Sequence, residues 1–135
     1  MMVGVPLGQL DFLYTPSRDV AADMRYFRDV LGGDVVFAFD RMGTRVAMIR
    51  LGASAPAIVL TDHLDGDRPI LVYRVERLAE ALGELQAHGW TREGTIELPP
   101  GPACSFTTPG GHRIAIYEPS RPGVVESFAG QLDFD

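Results

Sequence analysis

The sequence predicts an α+β fold: two β-α-β-β-β repeats form a curled mixed sheet around a ligand groove, with both helices on its outer face. Three observations predict it. The same order of elements occurs twice, at a period of about 55 residues. Each copy has one segment of helical apolar spacing that stops at glycine, Gly32-Gly33 in the first and Gly89 in the second. The other segments are short, rich in β-branched or aromatic residues, and punctuated by Gly, Pro and Asp. The 135 residues suit a single domain over 1–135, with repeat one at 8–62, repeat two at 69–118 and a tail at 119–135.

The elements follow in order. Gln9 to Thr15 alternates in character and stops at Pro16, which reads as a strand. Ser17 or Asp19 then caps a helix running to about Leu31, with Val20, Met24, Phe27, Val30 and Leu31 on its apolar stripe. Three strands complete the first repeat: Val35 to Phe39, Arg45 to Leu51 after a turn near Met42-Gly43, and Ala57 to Thr61. The polar stretch Asp62 to Pro69 is a linker. In the second repeat, Ile70 to Val75 is a strand and Glu76 to His88 a helix, with Leu78, Leu82 and Leu85 on one face. Trp90 to Leu98, Ala103 to Thr107 and Arg113 to Tyr117 are three more strands, separated by turns at residues 99–102 and 109–111. In the tail, Val124, Val125, Phe128 and Leu132 are suited to packing onto a neighbour, with a loose tail as the alternative.

Composition narrows the function classes. The formal net charge is −6, with 12 basic and 18 acidic residues. Nucleic-acid binding draws most of its affinity from basic groups on phosphates, so no nucleic-acid partner is expected. No apolar run approaches the roughly 18 residues of a membrane span, and the first six residues lack the basic and apolar regions of a signal peptide. The expectation is a cytoplasmic protein without a membrane partner. Cys104 is the only cysteine, which rules out an intrachain disulfide and reads as a small strand hydrophobe. His63, His88 and His112 have no ligand spacing, and Asp62, Asp65 and Asp67 lack the spacing of a calcium loop.

Side-chain alternation defines the groove. One face of each half-sheet must pack on its helix, and the other is left to line a cavity. Leu10, Phe12 and Tyr14 share a face, as do Ala57, Val59 and Thr61 with His63 beyond them. So do Ile70, Val72 and Arg74, and Arg113, Ala115 and Tyr117. Phe37, Phe39, Trp90 and Phe106 are further candidates from the remaining strands. Tyr73 alternates away, towards the second helix. Rings on such a floor suit flat, conjugated ligands through offset stacking and cation–π contact.

Local strings carry a family resemblance. The stretch from Asp19 to Gly32, with an acidic start, the aromatic pair Tyr26-Phe27 and a final Leu31-Gly32, resembles the first-helix signature of the vicinal oxygen chelate superfamily. This superfamily includes glyoxalases, extradiol dioxygenases and bleomycin-resistance-type proteins. Val75 to Leu78, continued by Leu85 to Gly89, resembles the matching helix of the second repeat. Thr108 to Ile114 resembles the turn before the last strand. In metal-dependent members the ligands come from the first and last strand of each repeat. The resemblance puts those positions at Phe12, Val59, Ile70 and Ala115, all apolar here and unable to donate to a divalent ion. Asp11 and Glu118 are near two of them but face the other side by alternation.

The resemblance therefore implies a metal-free, cofactor-free protein of the bleomycin-resistance type. It would sequester an aromatic or cationic natural product or antibiotic for self-protection, as a homodimer. The ligand-binding residues expected are Phe12, Tyr14, Phe37, Phe39, Val59, Thr61, Ile70, Trp90, Phe106, Arg113, Ala115 and Tyr117, with no catalytic residue and no metal ligand. The rival expectation is a glyoxalase- or dioxygenase-like lyase or isomerase, or a metal-free biosynthetic enzyme, with His63 near Tyr117 as a candidate base.

Overall fold

The computed structural model describes residues 7–90 and 93–135. The segment Met1 to Pro6, expected to lack an export signal, and residues 91–92 of the expected sixth strand lie outside the described residues. The first repeat is β1 (Leu10–Pro16), α1 (Val20–Asp29), β2 (Asp34–Arg41), β3 (Thr44–Arg50) and β4 (Ala57–Thr61). The second is β5 (Ile70–Arg74), α2 (Leu78–Ala87), β6 (Gly94–Leu98), β7 (Gly101–Thr107) and β8 (Arg113–Tyr117), followed by a short α3 (Val124–Ser127). All eight strands form one mixed sheet in the order β2-β3-β4-β1-β5-β8-β7-β6. The first and last strands of each repeat pair in parallel, β1 with β4 and β5 with β8. The two repeats meet antiparallel at β1 and β5.

Both helices lie on the outer face. The Asp19 side chain caps α1 by accepting from the Ala22 N–H at 3.0 Å. Val20, Ala21 and Met24 are its buried face. Val20 and Met24 pack on Ala38, Ala47, Ile49 and Leu60 of the sheet. α1 stops at Asp29 rather than Leu31, so Val30 and Leu31 are exposed instead of core. The cause is local: the Gly33 N–H returns to the Phe27 carbonyl at 2.8 Å. A Cβ on Gly33 would stand 2.8 Å from Leu51 and 2.9 Å from Ile49, so only glycine makes this exit.

α2 begins at Leu78, and its cap residue Arg77 supplies no side-chain bond. Glu118, just past β8, replaces it by accepting from the Leu78 N–H at 2.9 Å. Ala81 and Leu82 pack with Val75, Cys104 and Ile116, and Tyr73 joins them as its alternation requires. Trp90 and Phe106 also belong to this cluster, edge to face at 5.5 Å. Their expected place in the groove is therefore corrected. Trp90 precedes β6, and Phe106 alternates with the inward-facing Ser105 and points to the helix side.

Two turns show backbone control. Met42 and Gly43 both have positive φ, 55° and 77°, the conformation that a tight two-residue hairpin between β2 and β3 requires. Gly101 opens β7 where a Cβ would lie 1.7 Å from the Glu118 carbonyl oxygen. The backbone carrying the α2 cap thus packs directly on this glycine.

Part of the tail packs on its own chain: Val125 and Phe128 are used there, while Leu132 stays exposed. From Tyr117 it crosses the open face of the sheet, where Val125 and Phe128 pack against the Phe37, Met48, Ala57 and Val59 cluster. It then runs parallel to β2: Gly130 N–H donates to the Val36 carbonyl, Ala38 N–H to Gln131 and Asp133 N–H to Ala38. This covers the edge of β2. Phe134 ends against the α1 cluster, and Asp135 pairs with Arg28. The last seventeen residues form a strap from the groove to the outer helix.

Candidate functional site

Strand register fixes the lining of the open face. One row across the sheet reads Phe37, Met48, Val59, Tyr14, Ile70 and Arg113, each the register partner of the next. The adjacent row reads Ala57, Phe12, Val72 and Ala115. Period-two alternation turns all these side chains to the same side. Ten of the twelve expected ligand-binding residues lie on this face. Phe12, Tyr14, Phe37 and Val59 line a small apolar pocket of about 70 Å³ under the strap, with Val125 and Phe128 as its roof. Phe39 stacks on Phe37 at 4.7 Å, and Phe128 stands edge-on to both rings, at 5.6 and 5.0 Å. The strap thus covers the β2 side of the groove.

A larger pocket of about 410 Å³ opens at the other end, where β1 and β4 begin and β3, β5 and β8 finish. Phe12, Ala57, Tyr117, Pro100 and Val125 give it apolar and aromatic walls, and Gln9, Asp11, Arg50, Arg74, Arg121 and Glu126 give it polar ones. The Phe12 and Tyr117 rings are 5.8 Å apart and tilted by 45°.

Asp11 is the surprise of this end. Strict alternation would point it at the helices. The register of β1 on β5 shifts between Leu10 and Phe12, so Asp11 is the extra residue of a bulge. Its carboxylate turns to the groove, accepting from the Tyr117 hydroxyl and from Arg74 Nε at 2.9 Å. Asp11 is only 6% exposed, and the Arg74 side chain is 52% exposed. A buried carboxylate thus anchors a half-exposed guanidinium and a buried phenol on the pocket wall. Burial raises the Tyr117 phenol above its ordinary value. The bond to Asp11 and its charge add to this, and Arg74 opposes it. No turn residue or glycine marks the bulge, so the sequence carried no signal for Asp11. Arg74 and Arg50, by contrast, follow from alternation with Val72 and Met48.

A second polar cluster lies towards the opposite end of β1 and β4. Thr61 is fully buried, and its hydroxyl is 2.5 Å from His63 Nδ1. The His63 ring stands edge-on to Tyr14 at 6.1 Å. Burial raises the Tyr14 phenol, and a bond with Thr61 moderates the rise. His63 is far along the strand from Tyr117: it neighbours Thr61, whereas Tyr117 pairs with Arg74 at the pocket end. The structure therefore does not bring together the His63–Tyr117 acid–base pair considered from sequence. Arg113, at the His63 end, donates to the Arg68 carbonyl of the linker.

Phe12, Val59, Ile70 and Ala115 all face the groove, beside one another in the two central rows. None carries an N, O or S side-chain atom, so these four positions do not fit a divalent ion. Among the described residues, no group of three or more His, Cys, Asp or Glu side chains is arranged to hold one.

A scan against protein-family models gives no match, and a comparison with curated proteins gives none either. Solved structures do match. Methylmalonyl-CoA epimerase from Mycobacterium tuberculosis aligns over 89% of this chain and 93% of its own, with a TM-score of 0.71 and 22% identity. The Streptomyces coelicolor methylmalonyl-CoA epimerase aligns over 84% of this chain and 99% of its own, with a TM-score of 0.65 and 13% identity. A catechol 2,3-dioxygenase aligns over 84% of this chain and 42% of its own, with a TM-score of 0.63 and 20% identity. The fold is the vicinal oxygen chelate fold. In this chain it is built from two repeats, each closed by a parallel pair, β1–β4 and β5–β8. Identities this low carry the fold and not an activity, since one vicinal oxygen chelate scaffold serves an epimerase and a dioxygenase alike.

Proposed function

We propose that this protein binds a planar, conjugated small molecule in its groove without a metal ion, and sequesters it rather than transforming it. One observation carries the reading. The two central rows of the groove are apolar and aromatic at every position that a metal site on this fold would use, and they lead into a 410 Å³ pocket walled by Phe12 and Tyr117. Rings in such a pocket favour flat partners by stacking and by area removed from water. Three arginines at the mouth favour the aromatic over the cationic form of the expected ligand. A conjugated natural product or antibiotic is the class proposed, and holding it would give self-protection. A homodimer in the cytoplasm completes the proposal. No helix among the described residues is long and apolar enough to cross a membrane.

Asp11 and Tyr117 favour a second reading, as a metal-free acid–base catalyst, because a carboxylate and a phenol in contact on a pocket wall are proton-transfer groups. The sequestering reading is preferred because Asp11 already accepts two bonds and serves to position Arg74 and Tyr117.

The test is a thermal-shift screen of planar natural products, followed by mass analysis of each ligand after long incubation. Stabilisation with the ligand recovered unchanged supports sequestration, and conversion of the ligand supports catalysis. Dialysis against Zn²⁺, Ni²⁺, Mn²⁺ or Fe²⁺ should leave well under one ion per chain. One tightly held ion in the groove contradicts the reading. Light scattering at micromolar concentration tests the dimer, and a species of one chain's mass contradicts it.

A further inference from the structure

The mouth of the groove is basic in an acidic protein. The chain carries −6 overall, and all twelve of its basic residues are arginines. Three of these, Arg50, Arg74 and Arg121, line the same pocket. They come from three separate places: the end of β3, the end of β5 and the start of the strap. Arg121 is braced by the Leu98 and Pro99 carbonyls, at 2.7 and 2.8 Å. Arg74 is braced by Asp11 through Nε, and its side chain is half exposed on the wall. Arg50 shares the groove face with Met48 and is exposed beside Ala57. Two acids share this wall. Asp11 is turned onto Arg74 and Tyr117, and Glu126 sits on α3.

We propose that the ligand is an aromatic anion: a planar ring system lies against Phe12 and Tyr117, and its carboxylate, sulfonate or phosphate is held by Arg50 and Arg74. This rests on the binding reading above and adds the charge of the ligand to it. A guanidinium offers a planar fork of donors that matches an oxyanion. Anchoring of Arg74 by Asp11 means that little of its side-chain freedom is lost on binding. Phe12 is common to the pocket mouth and the apolar pocket beneath the strap, so the ring and the anion would occupy one continuous site.

Two fluorescent dyes of similar aromatic body separate the two proposals: anilinonaphthalene sulfonate, which is anionic, and phenylnaphthylamine, which is neutral. At low salt the anionic dye should bind about tenfold more tightly than the neutral one, the size of one charge-assisted hydrogen-bonded contact. Arg50→Ala should remove about that factor for the anion and leave the neutral dye unchanged. Added NaCl should weaken the anion only. Calorimetry with naphthoate and naphthyl phosphate then shows which oxyanion is preferred. Arg50 is exposed, so its loss should spare the fold, and circular dichroism checks this; the salt dependence of wild-type binding tests the same charge contact without a variant. Equal affinity for both dyes, with no effect of salt or Arg50→Ala, would overturn the anion proposal and leave the binding reading intact. Failure of both dyes to bind would overturn the two together.

Discussion

Replacing Asp11 by Ala tests whether the bulge in β1 holds the pocket wall together. In the wild type, its carboxylate accepts from the buried Tyr117 hydroxyl and from Arg74 Nε at 2.9 Å. Removing it leaves the phenol buried without that acceptor, a cost of about 1–3 kcal/mol. Arg74 is half exposed and rehydrates, so its lost ion pair adds no more than about 1 kcal/mol. Release of a buried charge offsets part of this. The net expectation is a loss of about 1–3 kcal/mol, out of a total of roughly 5–15 kcal/mol for a domain. Urea denaturation should show a lower midpoint at unchanged slope. Tyr117→Phe alone should cost about 0.5–1.5 kcal/mol, and the double variant should cost less than the sum of the two singles, because they share a bond. If Asp11→Ala lies within about 0.5 kcal/mol of wild type, or if the singles add, the carboxylate does not brace the wall.

Three further outcomes follow from named contacts. The phenols of Tyr117 and Tyr14 hold their protons more tightly in the folded chain than in the unfolded one. The stability this contributes is intact below the unfolded value of about 10 and is lost as pH rises past it. Unfolding free energy should therefore fall above about pH 10, and less steeply in Tyr117→Phe; a steeper fall in that variant would contradict the assignment. Gly101→Ala should cost at least about 2 kcal/mol, because its Cβ would meet the Glu118 carbonyl oxygen at 1.7 Å. Gly94→Ala meets, among the described residues, Ser105 Oγ at 3.6 Å and should stay within about 1 kcal/mol in the same denaturation series. Phe128→Ala removes the ring that roofs Phe37 and Phe39 and should cost about 1–3 kcal/mol; no loss would show that the strap does not depend on this contact.

The fold was legible because its signals are periodic. The two helical stripes, the glycines that end them and the β-branched strands recur in the same order in both halves. Alternation then placed Phe12, Val59, Ile70 and Ala115 on one face, as the register shows. The misses have local causes. Alternation assumes an unbroken strand, and the bulge turned Asp11 inwards without a sequence mark. The β-prone character of Trp90 suggests a strand, but it precedes β6 and packs with the α2 cluster. Val30 and Leu31 continue the apolar pattern past the point where Gly33 folds the chain back. Val125 and Phe128 of the tail find their partner in the chain's own groove, a long-range contact that no local pattern marks. The pocket at the mouth depends on residues from both repeats and the strap, a meeting that no local pattern encodes.

The most direct test of ligand binding in the groove is a calorimetric titration of one planar aromatic ligand, taken from the thermal-shift screen, into wild type and Phe12→Ala. Phe12 lines both pockets and has a ring contact with Tyr117. The wild type should show one site per chain. Affinity should fall in the variant by roughly fivefold to thirtyfold, since stacking and lost apolar contact together contribute about 1–2 kcal/mol. Unchanged affinity in a folded Phe12→Ala variant would contradict the placement of the binding site in the groove.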